Sequence, residues 1–92
     1  GRHSLKIEVE VESLAELEQA LAGGADVVML DNMDVGTMRK AVEFNGGKAV
    51  LEASGGVNLA SVRAIAETGV DLISVGALTH SAPALDLSLR IL

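Results

Sequence analysis

The chain has 92 residues, 49% of them hydrophobic and 22% charged, a balance that places it among globular rather than disordered sequences. Thirteen acids against seven bases give a net charge of −6, and one Phe with no Tyr or Trp leaves no stacking platform; nucleic acid and anionic membrane surfaces are therefore disfavoured as partners. Without Cys there are no disulfides, thiolate metal sites or thiol chemistry, a composition that leans to the cytoplasm.

Lys6 to Glu12 alternates apolar and charged residues with period two, which predicts a strand. Ser13 and Glu16 have capping-box spacing, and Leu14, Leu17 and Leu21 then recur as on a helix that Gly23-Gly24 ends. Val27-Val28-Met29-Leu30 is a continuous apolar run, as in a strand covered on both faces. Asp34 is placed to cap a second helix carrying Val35, Met38, Ala41 and Val42, which stops at Asn45-Gly46-Gly47. Ala49-Val50-Leu51 predicts a third strand, running into Glu52-Ala53-Ser54-Gly55-Gly56. Asn58 is expected to cap a third helix with Leu59, Val62, Ile65 and Ala66 on one face. Leu72 to Val75 is the fourth strand, followed by Gly76-Ala77-Leu78-Thr79-His80. In the tail, Leu85, Leu87, Leu89 and Ile91 alternate as in a strand, whereas Leu85, Leu89 and Leu92 would line a helix; a turn around Ser81-Ala82-Pro83 and then a strand is the favoured reading.

A shift of 45 residues lays Leu14-Ala15 on Leu59-Ala60, Gly24 on Gly69, Asp26 on Asp71 and Val27-Val28 on Leu72-Ile73. The expected fold class is α/β over residues 1–92 as one domain: four parallel βα units forming a half-barrel or a small open flavodoxin-like sheet, with a short C-terminal strand or helix. No run is long enough to span a bilayer; the longest uncharged one, Leu72 to Leu85, is broken by Gly76, His80 and Pro83. The chain opens Gly1-Arg2-His3 without Met and reaches a strand pattern at once, as a piece of something longer would.

In βα arrays functional groups gather at the carboxyl ends of the strands. Here those ends carry Glu10 to Glu12, Asp31-Asn32, Ser54-Gly55-Gly56, and Gly76-Ala77 with Thr79 and His80. Glu8 and Glu10 share one face of the first strand, which points into a barrel or, at a sheet edge, into water. Asp31 follows a central strand, and Asp34 is better placed than it for capping. Ser54-Gly55-Gly56 and Gly76-Ala77 are in register one unit apart and suit a shared phosphate, although tight turns need glycine too. His80 is either a phosphate donor or acid/base, or a solvent-exposed loop residue. Asp26 and Asp71 precede their strands and are read as structural. Met29, Met33 and Met38 are read as core filler, and His3 receives no role.

Glu8-Val9-Glu10-Val11-Glu12, Met29-Leu30-Asp31-Asn32-Met33, Leu51-Glu52-Ala53-Ser54-Gly55-Gly56, and Glu67-Thr68-Gly69-Val70-Asp71 leading to Ser74-Val75-Gly76-Ala77-Leu78-Thr79-His80 closely resemble quinolinate phosphoribosyltransferase, the carboxylating nicotinate-nucleotide pyrophosphorylase of NAD biosynthesis. The resemblance implies an enzyme that joins quinolinate to phosphoribosyl pyrophosphate with Mg²⁺, giving nicotinate mononucleotide, pyrophosphate and carbon dioxide. It implies an amino-terminal sandwich domain followed by an incomplete α/β barrel, in dimers or larger assemblies. Glu10 and Asp31 match the family's acidic pair near the ribose and its metal; Ser54, Gly55, Gly76 and His80 match its phosphate loops, with Ala77 beside them. Carboxylates beside the ribose would stabilise the positive charge left when pyrophosphate departs, and could bind Mg²⁺ together with substrate oxygens.

The family's anionic substrates need a cluster of bases. In this sequence Arg2, Lys6, Arg39, Lys40, Lys48, Arg63 and Arg90 fall on helices, strand beginnings or the termini, none at the functional strand ends. The family's bases belong to its sandwich domain and first barrel strands, both absent here, so the chain is expected to be the C-terminal half of the barrel and inactive alone. The alternative from another class is an excised or designed half-barrel module that self-associates, as a homodimer or larger, to cover its strand edges. A barrel piece from an unrelated sugar-phosphate enzyme would share the loops but leave the acidic strand and Asp31-Asn32 unexplained. Either way the expected ligand is a small phosphate or nucleotide, with no tightly bound cofactor.

Overall fold

The computed structural model describes residues 6–75 and the backbone of 87–90. The elements are β1 (Glu8–Val11), α1 (Leu14–Ala22), β2 (Val27–Asp31), α2 (Val35–Asn45), β3 (Val50–Ser54), α3 (Val62–Ala66), β4 (Leu72–Val75) and β5 (Leu87–Arg90). Gly76, Ala77, Thr79, His80 and the turn expected at Ser81 to Pro83 lie outside the described residues.

Local chemistry sets the helix ends. Ser13 Oγ accepts from Glu16 N at 3.1 Å, while Glu16 Oε1 reaches back to Glu12 N at 2.7 Å, so the start of α1 is closed from both sides. Asp34 Oδ1 accepts from Thr37 N at 2.7 Å and caps α2 as expected. This bond holds the Asp34 carboxyl below its ordinary value. At the far end Gly46 takes a left-handed conformation (φ 56°) and donates its N–H to Val42 O.

The third helix differs from expectation. Its N-cap is Ser61 rather than Asn58: Asn58 Oδ1 accepts from Ser61 N at 3.0 Å and Asn58 N donates to Ser61 Oγ at 3.2 Å, closing the turn at 59–61 that leads directly into the helix. Helix α3 begins only at Val62, and Leu59, expected on its packed face, is 64% exposed.

The strands form one open sheet in the order β1-β2-β3-β4-β5, with the first four parallel and β5 antiparallel to β4. The C-terminal element is therefore a strand, and the order is that of a barrel segment rather than one that reverses. Right-handed crossovers between sequential neighbours put the helices on one face. Val11, Val28, Leu30, Leu51, Ala53, Ile73 and Val75 meet Leu17, Ala20, Met38, Ala41 and Ile65 there in a single core. Small aliphatics suffice because Val and Ala let the short helices approach the sheet closely.

The 45-residue repeat is visible in hydrogen bonds. Asp26 Oδ2 accepts from Ile7 N (2.8 Å) and Asp26 N donates to Ile7 O (2.8 Å); Asp71 does the same with Leu51, at 2.9 and 2.8 Å. Both aspartates thus tie the start of one strand to the start of its parallel neighbour, the structural role expected of them.

Candidate functional site at the strand ends

The period-two alternation places Glu8 and Glu10 of β1, Val27, Met29 and Asp31 of β2, Val50, Glu52 and Ser54 of β3, and Leu72 and Ser74 of β4 on the face opposite the helices. Both readings of Glu8 and Glu10 therefore apply together: their strand is an edge of the sheet, and their side chains stand exposed on the face that would line a barrel. Glu10 pairs in register with Met29, two residues before Asp31 on the neighbouring strand. Strand spacing and rise put the Glu10 and Asp31 backbones roughly 8 Å apart.

Asp31 pairs with Ser54 at the ends of β2 and β3, both half-buried. Beyond them, Asn32 turns the chain at φ 58° and donates its N–H to Ser54 O at 2.8 Å. Asn is among the few residues tolerated in that left-handed region. Gly55 and Gly56 follow, each at φ 74°. The carboxylate that ends β2 and the glycine loop after β3 are thereby joined at one end of the sheet. Of the residues expected in the site, Glu10, Asp31, Ser54 and Gly55 share this region, whereas Gly76, Ala77 and His80 lie outside the described residues.

One polar pair escaped the sequence reading. The Ser74 hydroxyl donates to Glu52 Oε2 across β3 and β4, and both residues are half-buried on the face that carries Glu10 and Asp31. Ending the third strand at Leu51 had hidden Glu52; the strand continues to Ser54, and a carboxylate at an inward-alternating position of a central strand was the available signal.

The basic side chains among the described residues do not converge on this face. Lys6, Arg39, Lys40, Lys48 and Arg63 are exposed at strand beginnings or on helices, and Arg90 pairs by backbone with Leu72. Among the described residues no three His, Cys, Asp or Glu side chains gather as a metal-binding group. Two carboxylates are too few for a cage of protein ligands, but suit a divalent ion shared with substrate oxygens. No helix among the described residues is long and apolar enough to cross a membrane.

The profile described as "Quinolinate phosphoribosyl transferase, C-terminal domain" matches residues 2–90. The chain is 44% identical over 89 residues to a probable carboxylating nicotinate-nucleotide pyrophosphorylase of Bacillus subtilis, covering 97% of this chain and 31% of that protein. It is 46% identical over 92 residues to the Archaeoglobus fulgidus protein of the same description, covering 95% of this chain and 36% of that protein. The solved nicotinate-nucleotide pyrophosphorylase of Francisella tularensis superposes with a TM-score of 0.75 at 53% identity, over 90% of this chain and 30% of its own. The chain thus spans about a third of the length of these relatives. Matched over residues 2–90 and sharing 44% to 53% identity with these relatives, the chain belongs to the quinolinate phosphoribosyl transferase family, to whose C-terminal domain it corresponds.

Proposed function

We propose that this chain supplies the acidic and phosphate-holding part of a phosphoribosyltransferase site in NAD biosynthesis. The reaction converts quinolinate and phosphoribosyl pyrophosphate to nicotinate mononucleotide, pyrophosphate and carbon dioxide. The observation that carries this reading is the joining of Asp31 to the Ser54-Gly55-Gly56 loop on the face that also bears Glu10.

The chemistry follows from charge. Departure of pyrophosphate leaves the ribose positively charged, and Glu10 and Asp31 stabilise that charge as it develops. Their oxygens also accept from ribose hydroxyls. Backbone N–H groups of the loop at Ser54 to Gly56 hold the nucleotide phosphate, helped by Gly76, Ala77 and His80. A divalent ion, Mg²⁺ in this reading, would neutralise the pyrophosphate while held by substrate oxygens and one or both carboxylates.

Quinolinate itself, a dicarboxylate, requires bases, and the basic side chains among the described residues lie at strand beginnings or on helices instead. The amino-terminal sandwich domain and first barrel strands of a full-length family member provide them. The reaction therefore belongs to the longer protein, and the 92-residue chain alone has no turnover.

The test is a graft. Replacing the corresponding segment of the Bacillus subtilis relative with this chain should yield nicotinate mononucleotide from quinolinate and phosphoribosyl pyrophosphate. Asp31→Ala or Glu10→Gln in that chimaera should lower kcat by about 10²-fold or more. A folded chimaera without turnover, or one indifferent to both substitutions, overturns the reading.

A second reading has its own support. Val27, Met29, Val50 and Leu72 lie partly exposed on the open face, and among the described residues β1 is an edge strand, so two copies could cover them by self-association. Sedimentation across a concentration series decides it: a monomer at every concentration removes this reading.

A further inference from the structure

Gly24, Gly55 and Gly56 take similar positive φ values but differ in what occupies the space where a side chain would stand. Gly24 (φ 85°) has nothing within 4 Å of a Cβ position. At Gly56 (φ 74°) a Cβ would lie 3.1 Å from Asn32 Oδ1. At Gly55, also at φ 74°, it would fall inside van der Waals contact of Asp31 Oδ1, 3.4 Å from Asp31 Cγ and 3.0 Å from Asn32 N. Conformation alone calls for glycine at all three positions. Only at Gly55 does a carboxylate fill the space.

The neighbouring strand end is held at this distance from the other side. Asn32, the one non-glycine residue at positive φ among the described residues, donates its N–H to Ser54 O at 2.8 Å. The bond clamps the turn after β2 onto the last residue of β3, and the Asp31 carboxylate stands against the bare Gly55 Cα.

We propose that Gly55 is a positioning residue for Asp31: its missing side chain is the seat that sets where the carboxylate stands, and the Asn32–Ser54 bond keeps the two strand ends closed on it. The functional weight of this rests on Asp31 being a site carboxylate, as proposed above. The glycine loop and the acid then form one unit, so a side chain at residue 55 disturbs the carboxylate besides narrowing the approach of an anion to the backbone.

The 92-residue chain itself provides the test. Gly24→Ala reports the strain of positive φ alone, and Gly55→Ala adds displacement of Asp31. Urea unfolding of Gly55→Ala, Asp31→Ala and the double variant should reveal coupling of roughly tenfold in the unfolding constant, about 1.4 kcal/mol, because removing the carboxylate relieves the clash. The Asp31 side-chain carboxyl ¹³C resonance should move in Gly55→Ala and stay in place in Gly24→Ala. Should Gly55→Ala fail to fold, folding of the double variant is the rescue expected.

Independent effects of the two substitutions, a double variant as unfolded as Gly55→Ala, or an unmoved Asp31 resonance overturns the proposal. None of these readouts depends on turnover. A silent chimaera would sink the functional reading while leaving the coupling intact, and absent coupling with an active chimaera would do the reverse.

Discussion

Asn45, the last residue of α2, exchanges two hydrogen bonds with Ala49: its Nδ2 donates to Ala49 O at 2.9 Å and its Oδ1 accepts from Ala49 N at 3.0 Å. The side chain thereby acts as a strand partner for the residue preceding β3, and it is 4% exposed. Asn45→Ala should destabilise the chain by about 2–3 kcal/mol, because both backbone groups of Ala49 lose their partner in a buried place. Urea unfolding measures it, and a loss below about 0.5 kcal/mol would show that water replaces the amide.

Asp26 and Asp71 make equivalent bonds at equivalent points of the 45-residue repeat. Asp26→Ala and Asp71→Ala should each cost about 1 kcal/mol, the usual net worth of one hydrogen bond. One strand, β3, lies between theirs and their carboxylates share no partner, so the double variant should show the sum within about 0.5 kcal/mol. Chemical denaturation of the four proteins in the cycle checks both amounts, and strong coupling would mean that the sheet's entry end behaves as one unit.

Asp34 predicts a pH effect of definite sign. The Thr37 backbone N–H, then its hydroxyl, favour the charged carboxylate and lower its pKa from the ordinary 3.8. A group whose pKa is depressed by folding contributes stability that is present above the unfolded value and lost as pH falls through the folded one. Wild type should therefore exceed Asp34→Ala in stability at neutral pH, and the gap should close below about pH 4. Thermal unfolding at a series of pH values would reveal a constant gap if the cap acted without its charge.

The Glu52 and Ser74 pair also makes a distinct prediction. Ser74→Ala removes a donor from a half-buried carboxylate and should cost about 1–2 kcal/mol. Glu52→Gln retains an acceptor for the Ser74 hydroxyl and should cost less. Denaturation of both variants, with the double variant to close the cycle, tests the order; a costlier Glu52→Gln would show that the negative charge of Glu52 is needed for more than this bond.

Much of the fold is legible residue by residue because it rests on short-range rules. Ser13 and Asp34 begin their helices with side-chain oxygens that need only the next turn, and Gly46 ends one because it alone accepts the left-handed turn without strain. Glu8 and Glu10 alternate with Val9 and Val11, which places them on one face wherever the strand lies. Less legible were Asn58, whose capping bonds close the turn that leads into α3 rather than the helix itself, and Glu52, which interrupts an apolar run without ending its strand.

The apolar runs, helix caps and 45-residue repeat were enough to determine the α/β class, and the strings around Asp31, Ser54 and Gly76 carried the resemblance to the family. Only the tertiary structure decided which strand ends meet. Asp31 and Gly55 are 24 positions apart in the chain, and nothing local requires a carboxylate to fill the space of a missing side chain. Parallel pairing of β2 with β3 brings them together, because register fixes position across strands where sequence distance cannot. The same pairing gives the acidic composition its arrangement: Glu10, Asp31 and Glu52 come to share one open face, while the described bases stay on the helices and at the strand beginnings.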